Sequence, residues 1–275
     1  MNSYKAMSAA LATHTGGIER FTRRLDRDGV PYLSYSKLAT VEGCPYRYYL
    51  EYVQGVKLRP EPAYFVKGRV FHKAAAKVYL ALARGRAARA GAIERLIEAH
   101  DDQSDRQHLR NAVELLRQNA LGGWEVVAVE QPFVLSLGRG LPPCLGVIDL
   151  ILRREGVYAV IDHKTGKSFG RGDAAQLAIY CQHVLRRHRA KECLTYFDEY
   201  RWVNNLDRIR KPAFQRRKVR IRPSAWNGAV RRFRRAYRNI RKIELAGDAP
   251  GAGSCYMCPF RDVCGKATYA VPNWW

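Results

Sequence analysis

Asp149 lies in the strand-like run Leu145-Gly-Val-Ile-Asp-Leu-Ile-Leu152. Asp162 and Lys164 lie in a second run, Val157-Tyr-Ala-Val-Ile-Asp-His-Lys-Thr-Gly166, beyond a short Glu155-Gly156 break. Carboxylates and an ammonium are costly to bury among apolar residues, and a metal ion is the simplest reason for them to be there. A two- or four-residue loop centred on Glu155-Gly156 makes the runs a hairpin and, counting back along both strands, sets Asp149 opposite Asp162 with Cβ atoms about 4.5–5.5 Å apart. Lys164 then shares the face of Asp162, and His163 points away. Like charges directly opposite repel, and a divalent cation between them reverses the sign. Two conditions attach to this geometry: Glu-Gly is a poorer turn signal than Asn-Gly, and a three-residue loop breaks the pairing. The competing reading is a surface hairpin with solvated aspartates, but the flanking Val, Ile and Leu make both strands buried on both faces.

These residues resemble the PD-(D/E)XK nuclease superfamily in its RecB-like branch. Gly146-Val-Ile-Asp149 is similar to the Gly-x-x-Asp motif, and Asp162-His-Lys164-Thr-Gly166 to the Asp-x-Lys-Thr-Gly motif. The resemblance implies that Asp149 and Asp162 hold Mg²⁺ or Mn²⁺, with the His163 backbone carbonyl as a further ligand, and that Lys164 orients the attacking water in phosphodiester hydrolysis. Gln176 and Tyr180, four apart on a helix expected from Ala174 to Arg187, resemble the branch's Gln-x-x-x-Tyr motif; spacing alone would equally describe a polar pair at a helix edge. His72, in Gly68-Arg-Val-Phe-His72, which opens a helical stretch from Ala74 to Ala83, resembles the branch's extra histidine, whose softer nitrogen would favour Mn²⁺. Glu130, in Val126-Val-Ala-Val-Glu-Gln131, sits where relatives often carry a glutamate, although a lone glutamate near a strand end is usually solvated.

Seven cysteines fall into two groups. Cys255, Cys258 and Cys264 form a C-terminal cluster that lacks a fourth ligand. Cys44, in a Cys-Pro-x-Arg-Tyr-Tyr-Leu segment, supplies it by resemblance to the iron–sulfur staple of CRISPR-associated exonucleases and AddB-type subunits. Four thiolates can hold a 4Fe–4S cluster or a tetrahedral zinc, and the spacing does not separate them. Disulfides fit poorly with a chain lacking a secretory signal. Closing so long a loop would restrict the unfolded chain and staple both ends to the core. Cys144, Cys181 and Cys193 read as buried core thiols.

Lys and Arg number 48 against 25 Asp and Glu, a net charge of +23. A polyanionic partner follows, since each neutralised phosphate releases counterions. No stretch is apolar and long enough to span a bilayer, and the N-terminus lacks a signal-peptide core, so a cytosolic compartment is expected. Within 223–247, Trp226, Val230, Phe233, Tyr237 and Ile240 recur at helical spacing, with Ser224 as N-cap and Gly247 as stop. The opposite face carries Arg231, Arg232, Arg234, Arg235 and Arg238, read as a phosphate track against the blander reading of a solvated face. Arg208 to Arg222 reads as a loop or irregular strand.

The expected architecture is α/β, a small mixed central sheet flanked by helices, with a helical iron–sulfur module formed by both chain ends. Residues 1–30 read as an N-terminal arm, 31–60 as the first part of the module, 61–203 as the nuclease core, 204–250 as the basic extension and 251–275 as the cysteine closure. Trp274 and Trp275 are expected to pack on the core, against the readings that they stack on bases or dock a partner. The function expected from the resemblance is a metal-dependent exonuclease on single-stranded DNA with 5′→3′ polarity. Its alternatives are a DNA-end-processing nuclease subunit of a CRISPR adaptation or recombination complex, with a helicase, integrase or recombination partner, and a non-catalytic iron–sulfur DNA-binding subunit.

Overall fold

Glu155 and Gly156 both adopt positive φ, +51° and +80°, the combination a primed two-residue hairpin turn requires. The turn joins β3 (Cys144–Arg154) to β4 (Val157–Gly166), and pairing from Arg154 with Val157 to Leu150 with Ile161 has the register expected from the sequence. The computed structural model describes residues 3–15, 17–86, 88–166, 168–170, 172–201, 212–251, 255 and 258–267. Among them the sheet has six strands in the order β1-β3-β4-β5-β6, with β2 also paired to β3. These are β1 (Leu33–Ser34), β2 (Glu125–Leu135), β5 (Cys193–Arg201) and β6 (Ala213–Lys218) beside the hairpin. The sheet is mixed: β1 with β3 and β4 with β5 run parallel, the other pairs antiparallel.

β2 lines one edge of β3 from Cys144 to Arg153, so β1 and β4 must share the other. β1 takes Cys144 and Leu145, β4 takes Leu150 onward, and between them lies an unpaired stretch that includes Asp149. The sheet opens there.

Alternation along the strands sends side chains to two helical layers. On one face Ile151 and Val160 meet Leu38 of α3 (Tyr35–Gly43), Leu177, Tyr180 and Val184 of α8 (Ala174–His188) and Phe233 and Ile240 of α9 (Pro223–Ala246). On the other, Leu150, Leu152, Ala159 and Ile161 meet α5 (Ala63–Leu82), α6 (Ala90–Glu98) and α7 (Gln103–Gln118) through Phe71, Val78, Ile97 and Leu109. Burying a side chain such as Phe71 or Phe233 contributes about 1.5–3 kcal/mol.

Several elements differ from the sequence reading. Within the segment read as an N-terminal arm, α1 (Ser3–Ala12) and α2 (Gly17–Arg27) dock Met7, Phe21 and Leu25 on Val134 and Leu145. The helix bearing His72 begins at Ala63, well before Gly68. Pro223 occupies the first turn of α9 and Arg222 is its cap without a side-chain bond, displacing Ser224; proline suits that position because its missing N–H has no helical partner. Gly247 ends α9 at φ +63°, as expected. Residues 213–218 form a regular strand, whereas 208–211, Trp274 and Trp275 lie outside the described residues.

The N- and C-terminal segments meet. Tyr46, in α4 (Pro45–Tyr48), donates its N–H to Pro250 O (3.2 Å), Lys266 Nζ lies 4.6 Å over the Tyr46 ring, and Arg47 lies 5.8 Å over Phe260. Cys44, Cys255, Cys258 and Cys264 are half-buried. Burial, then the neighbouring charges of Cys44 and Cys264, hold the Cys258 thiol above its ordinary range. No three of these sulfurs lie within 4.8 Å of one another, whereas a tetrahedral zinc with bonds of about 2.3 Å needs separations of about 3.8 Å. The docking of both ends is present; a formed iron–sulfur module is not shown. Cys144 and Cys181 are buried and Cys193 half-buried, as core thiols.

Candidate active site

The β3–β4 ladder ends at Leu150 and Ile161, and one residue further Asp149 Oδ2 accepts the His163 N–H at 2.7 Å. A carboxylate thus replaces a backbone carbonyl at the opening of the sheet. Asp162 follows Ile161 on β4 and is 2% exposed. Its Oδ2 lies 2.7 Å from Lys164 Nζ but takes no well-directed hydrogen bond. Lys164 also donates to Gln176 Oε1 at 3.0 Å, and Gln176 Nε2 donates to the Tyr180 hydroxyl at 2.9 Å. That chain links strand to helix through the side chains of both motifs. The N-cap of α8 fixes its far end: Asp173 accepts Ala175 N–H (2.9 Å), the Tyr35 hydroxyl (2.9 Å) and Arg232 Nη1 (2.7 Å).

The opposite helical layer reaches the same place. His72, midway along α5, sets Nδ1 3.5 Å from Asp149 Oδ2 and 3.6 Å from Glu130 Oε1. His72, Glu130 and Asp149 present ligand atoms all within 4.8 Å of one another, the one such His/Cys/Asp/Glu group among the described residues. Glu130 falls in register opposite Asp149 across β2 and β3, between the pairs Val129–Leu150 and Gln131–Ile148. Its φ of +49° is left-handed, strained backbone within a strand. Glu130, Asp149 and Asp162 therefore stand abreast on three neighbouring strands. The His163 ring points to the other face, stacked on Tyr79 at 5.7 Å and 15°.

Burial and then the Glu130 charge raise Asp149, against His72 and Lys164. Burial lifts Asp162 to about 6 against the pull of Lys164, with Asp149 adding to the rise. Burial opposes the His72 imidazolium, but Asp149 and then Glu130 outweigh it and lift His72 to about 9. Three carboxylates facing one lysine and one histidine leave an excess of negative charge, and one buried oxygen lacks a directed donor. Oxygen donors and an imidazole in this arrangement fit a hard divalent cation, Mg²⁺ or Mn²⁺.

Gly146 of the Gly-x-x-Asp motif pairs with Phe133 on β2, and a Cβ at Gly146 would come 2.8 Å from the Phe133 ring. The sequence pointed to the glycine but not to its partner. On α9, Arg231, Arg234, Arg235 and Arg238 are exposed. Arg232 is engaged otherwise than expected, held by Glu42 (2.6 and 3.1 Å) and Asp173 (2.7 Å) in a clamp across α3, α8 and α9. None of the sequence patterns revealed Asp173 or Glu42, because both gain their roles from long-range contacts.

Among solved structures, a chain from Eubacterium rectale provisionally named an exonuclease matches with a TM-score of 0.54 and 11% identity, covering 86% of this chain and 90% of that one. A likeness at that identity shows the fold. A second structure, SSO0001, matches with a TM-score of 0.34 and 13% identity over 74% of this chain and 96% of that one. No curated protein matches. No helix among the described residues is long and apolar enough to cross a membrane. The model of the PD-(D/E)XK nuclease superfamily matches residues 32–265. That span contains the hairpin, α5 with His72, the Gln176–Tyr180 pair and all seven cysteines, and the chain belongs to this nuclease superfamily.

Proposed function

We propose that the protein is a metal-dependent exonuclease acting on single-stranded DNA. The observation that supports it is the uncompensated cluster of Glu130, Asp149 and Asp162 beside Lys164, joined by His72 from α5. These residues, with the His163 carbonyl, would hold Mg²⁺ or Mn²⁺. Such an ion, when bound, polarises a phosphoryl oxygen and brings the pKa of water toward neutrality. Lys164, fixed between Asp162 and Gln176, holds its ammonium beside the carboxylates, where it can stabilise charge developing on phosphorus. Gln176 and Tyr180 position the strand, and exposed Arg231, Arg234, Arg235 and Arg238 add a positive field. The 5′→3′ polarity follows the family resemblance.

The meeting of the chain ends supports a 4Fe–4S cluster on Cys44, Cys255, Cys258 and Cys264, which would lock that junction. Anaerobic purification followed by iron and sulfide analysis tests it; a colourless protein containing zinc and no iron refutes it.

The activity is tested with single-stranded DNA labelled at either end, Mn²⁺, and the wild type beside Asp162→Ala. Progressive loss from the 5′ end by wild type alone is expected. Equal degradation by both proteins, or none by either, removes the catalytic reading, and loss from the 3′ end reverses the polarity.

A further inference from the structure

Gln176, Tyr180, His183 and Arg187 recur at four-, three- and four-residue intervals and form one stripe along α8. Two cavities adjoin along it and share Phe133 as a common wall. The first, about 400 Å³, is lined by Tyr35, Ser36, Tyr52, Phe133, Gln176 and Tyr180. The second, about 690 Å³, is lined by His183, Arg186, Arg187, Arg189, Gln131 and Tyr4 among others. No Asp or Glu lines either cavity among the described residues. The first is thus aromatic and neutral, the second cationic, and the stripe connects them to the Lys164–Gln176 contact at the metal site.

Details within the groove favour a nucleic-acid strand. The Phe133 and His183 rings lie 4.9 Å apart, forming an aromatic wall at the junction. Burial holds His183 down to about 4, so the wall is uncharged near neutral pH. Arg186 is braced by Ser136 O (3.1 Å) and by Trp226 beneath its guanidinium (5.5 Å). Arg187 and Arg189 are exposed and enter no ion pair among the described residues. Basic residues in the last turn of a helix also complement its dipole, but that role requires no cavity and no aromatic wall. On α9, by contrast, Glu42 engages Arg232 and approaches Arg235, and Glu244 binds Arg241.

We propose that the groove along α8 is the track of a single DNA strand, with unpaired bases against Tyr35 and His183 and backbone phosphates on Arg186, Arg187 and Arg189. Ring walls accept exposed base faces, whereas a duplex offers only edges and phosphates. The twelve residues from Gln176 to Arg187 span roughly 16 Å, on the order of five nucleotides at a stacked rise of about 3.4 Å. The track rests on the nuclease reading, because it delivers the strand to that site, and it assigns the closest phosphate contacts to α8 in place of α9.

Fluorescence anisotropy on the full chain carrying Asp162→Ala, in EDTA, measures affinity for labelled dT12 without cleavage. Adding Arg187→Glu with Arg189→Asn should weaken binding about tenfold or more. It should also lower the slope of log affinity against log salt by roughly 1.4–2, since each lost phosphate contact removes about 0.7. Asparagine suits Arg189, whose φ is +51°. Arg231→Glu with Arg238→Gln, an equal change of charge on α9, should cost threefold or less. An equal or larger loss from the α9 pair, or none from the α8 pair, overturns the track, as does a 12-base-pair duplex that binds as tightly as dT12. If the α8 pair lowers the melting temperature by more than a few degrees, Arg187→Ala alone is read by the same criteria. Cleavage is never scored, so a protein that binds through α8 yet cuts nothing keeps the track and loses the nuclease reading.

Discussion

At Asp198 on β5 both carboxylate oxygens meet the Arg216 guanidinium, at 2.7 and 2.6 Å, whereas one strand away Glu130, Asp149 and Asp162 crowd around a single lysine and a single histidine. Asp105 on α7 belongs to the first kind: Lys67 and His100 bond to it, and His108 lies 3.5 Å away. Each kind includes a fully buried acid, Asp198 in the first and Asp162 in the second. Where each acid has its own cation, the ions hold elements together: Arg216 joins β5 to β6 and reaches Asn119 O beyond α7, and Lys67 joins α5 to α7. Where acids outnumber cations, the arrangement is costly without a further positive charge, which marks it as a candidate cation site. Balance of charge, more than burial, separates structure from chemistry in this sheet.

That contrast is broken or sharpened by measurement. The largest effect is expected from Asp162→Ala, which should reduce Mn²⁺-dependent cleavage by about 10³-fold or more, the several kcal/mol a catalytic ion contributes, and leave the melting temperature within a few degrees. Asp105→Ala should do the reverse. Losing the ion pair with Lys67, which is 9% exposed, costs about 3–5 kcal/mol in urea unfolding. Should both variants lose stability equally, the distinction fails. Next in size, Mn²⁺ at a hundred times its dissociation constant should stabilise the wild type by about 2.7 kcal/mol, and Asp149→Ala should abolish that gain. Gly146→Ala, forced against Phe133, should cost about 1–3 kcal/mol, seen in the same unfolding assay.

The smallest effect concerns pH. His183 titrates near 4 when folded, because burial disfavours its charged form, and near 6.5 when unfolded. Between those values the unfolded chain holds the extra proton. Stability from this residue is therefore complete above about 6.5 and falls as the pH drops toward 4. Melting temperatures at pH 7.5 and 5 should differ less in His183→Gln than in the wild type.

What the sequence revealed was chiefly what repeats locally. Two-residue alternation and a short turn were enough to set Asp149 against Asp162, and three- and four-residue spacing marked α8 and α9. The spacing of Phe21 and Leu25 could have revealed α2 as well, since four residues return a helix to the same face. Other features depend on partners distant in the chain. Asp105 looks like any surface acid until α5 brings Lys67 to it, and the left-handed backbone of Glu130 arises where three strands and a helix converge. Arg232 shared its composition with its neighbours and differed only in facing Glu42 and Asp173. The thiols of Cys44 and the C-terminal trio carried a motif, whereas their gathering into a cluster is not shown by the fold.

β3 divides one edge between β1 and β4, so the two residues Leu33 and Ser34 cap the rim beside the sheet opening. A cut or fusion that pulls them away would bare the main-chain groups of Cys144 and Leu145, a template onto which a second chain can add a strand. Self-association in a shortened protein would then begin at this seam, next to Glu130, Asp149 and Asp162.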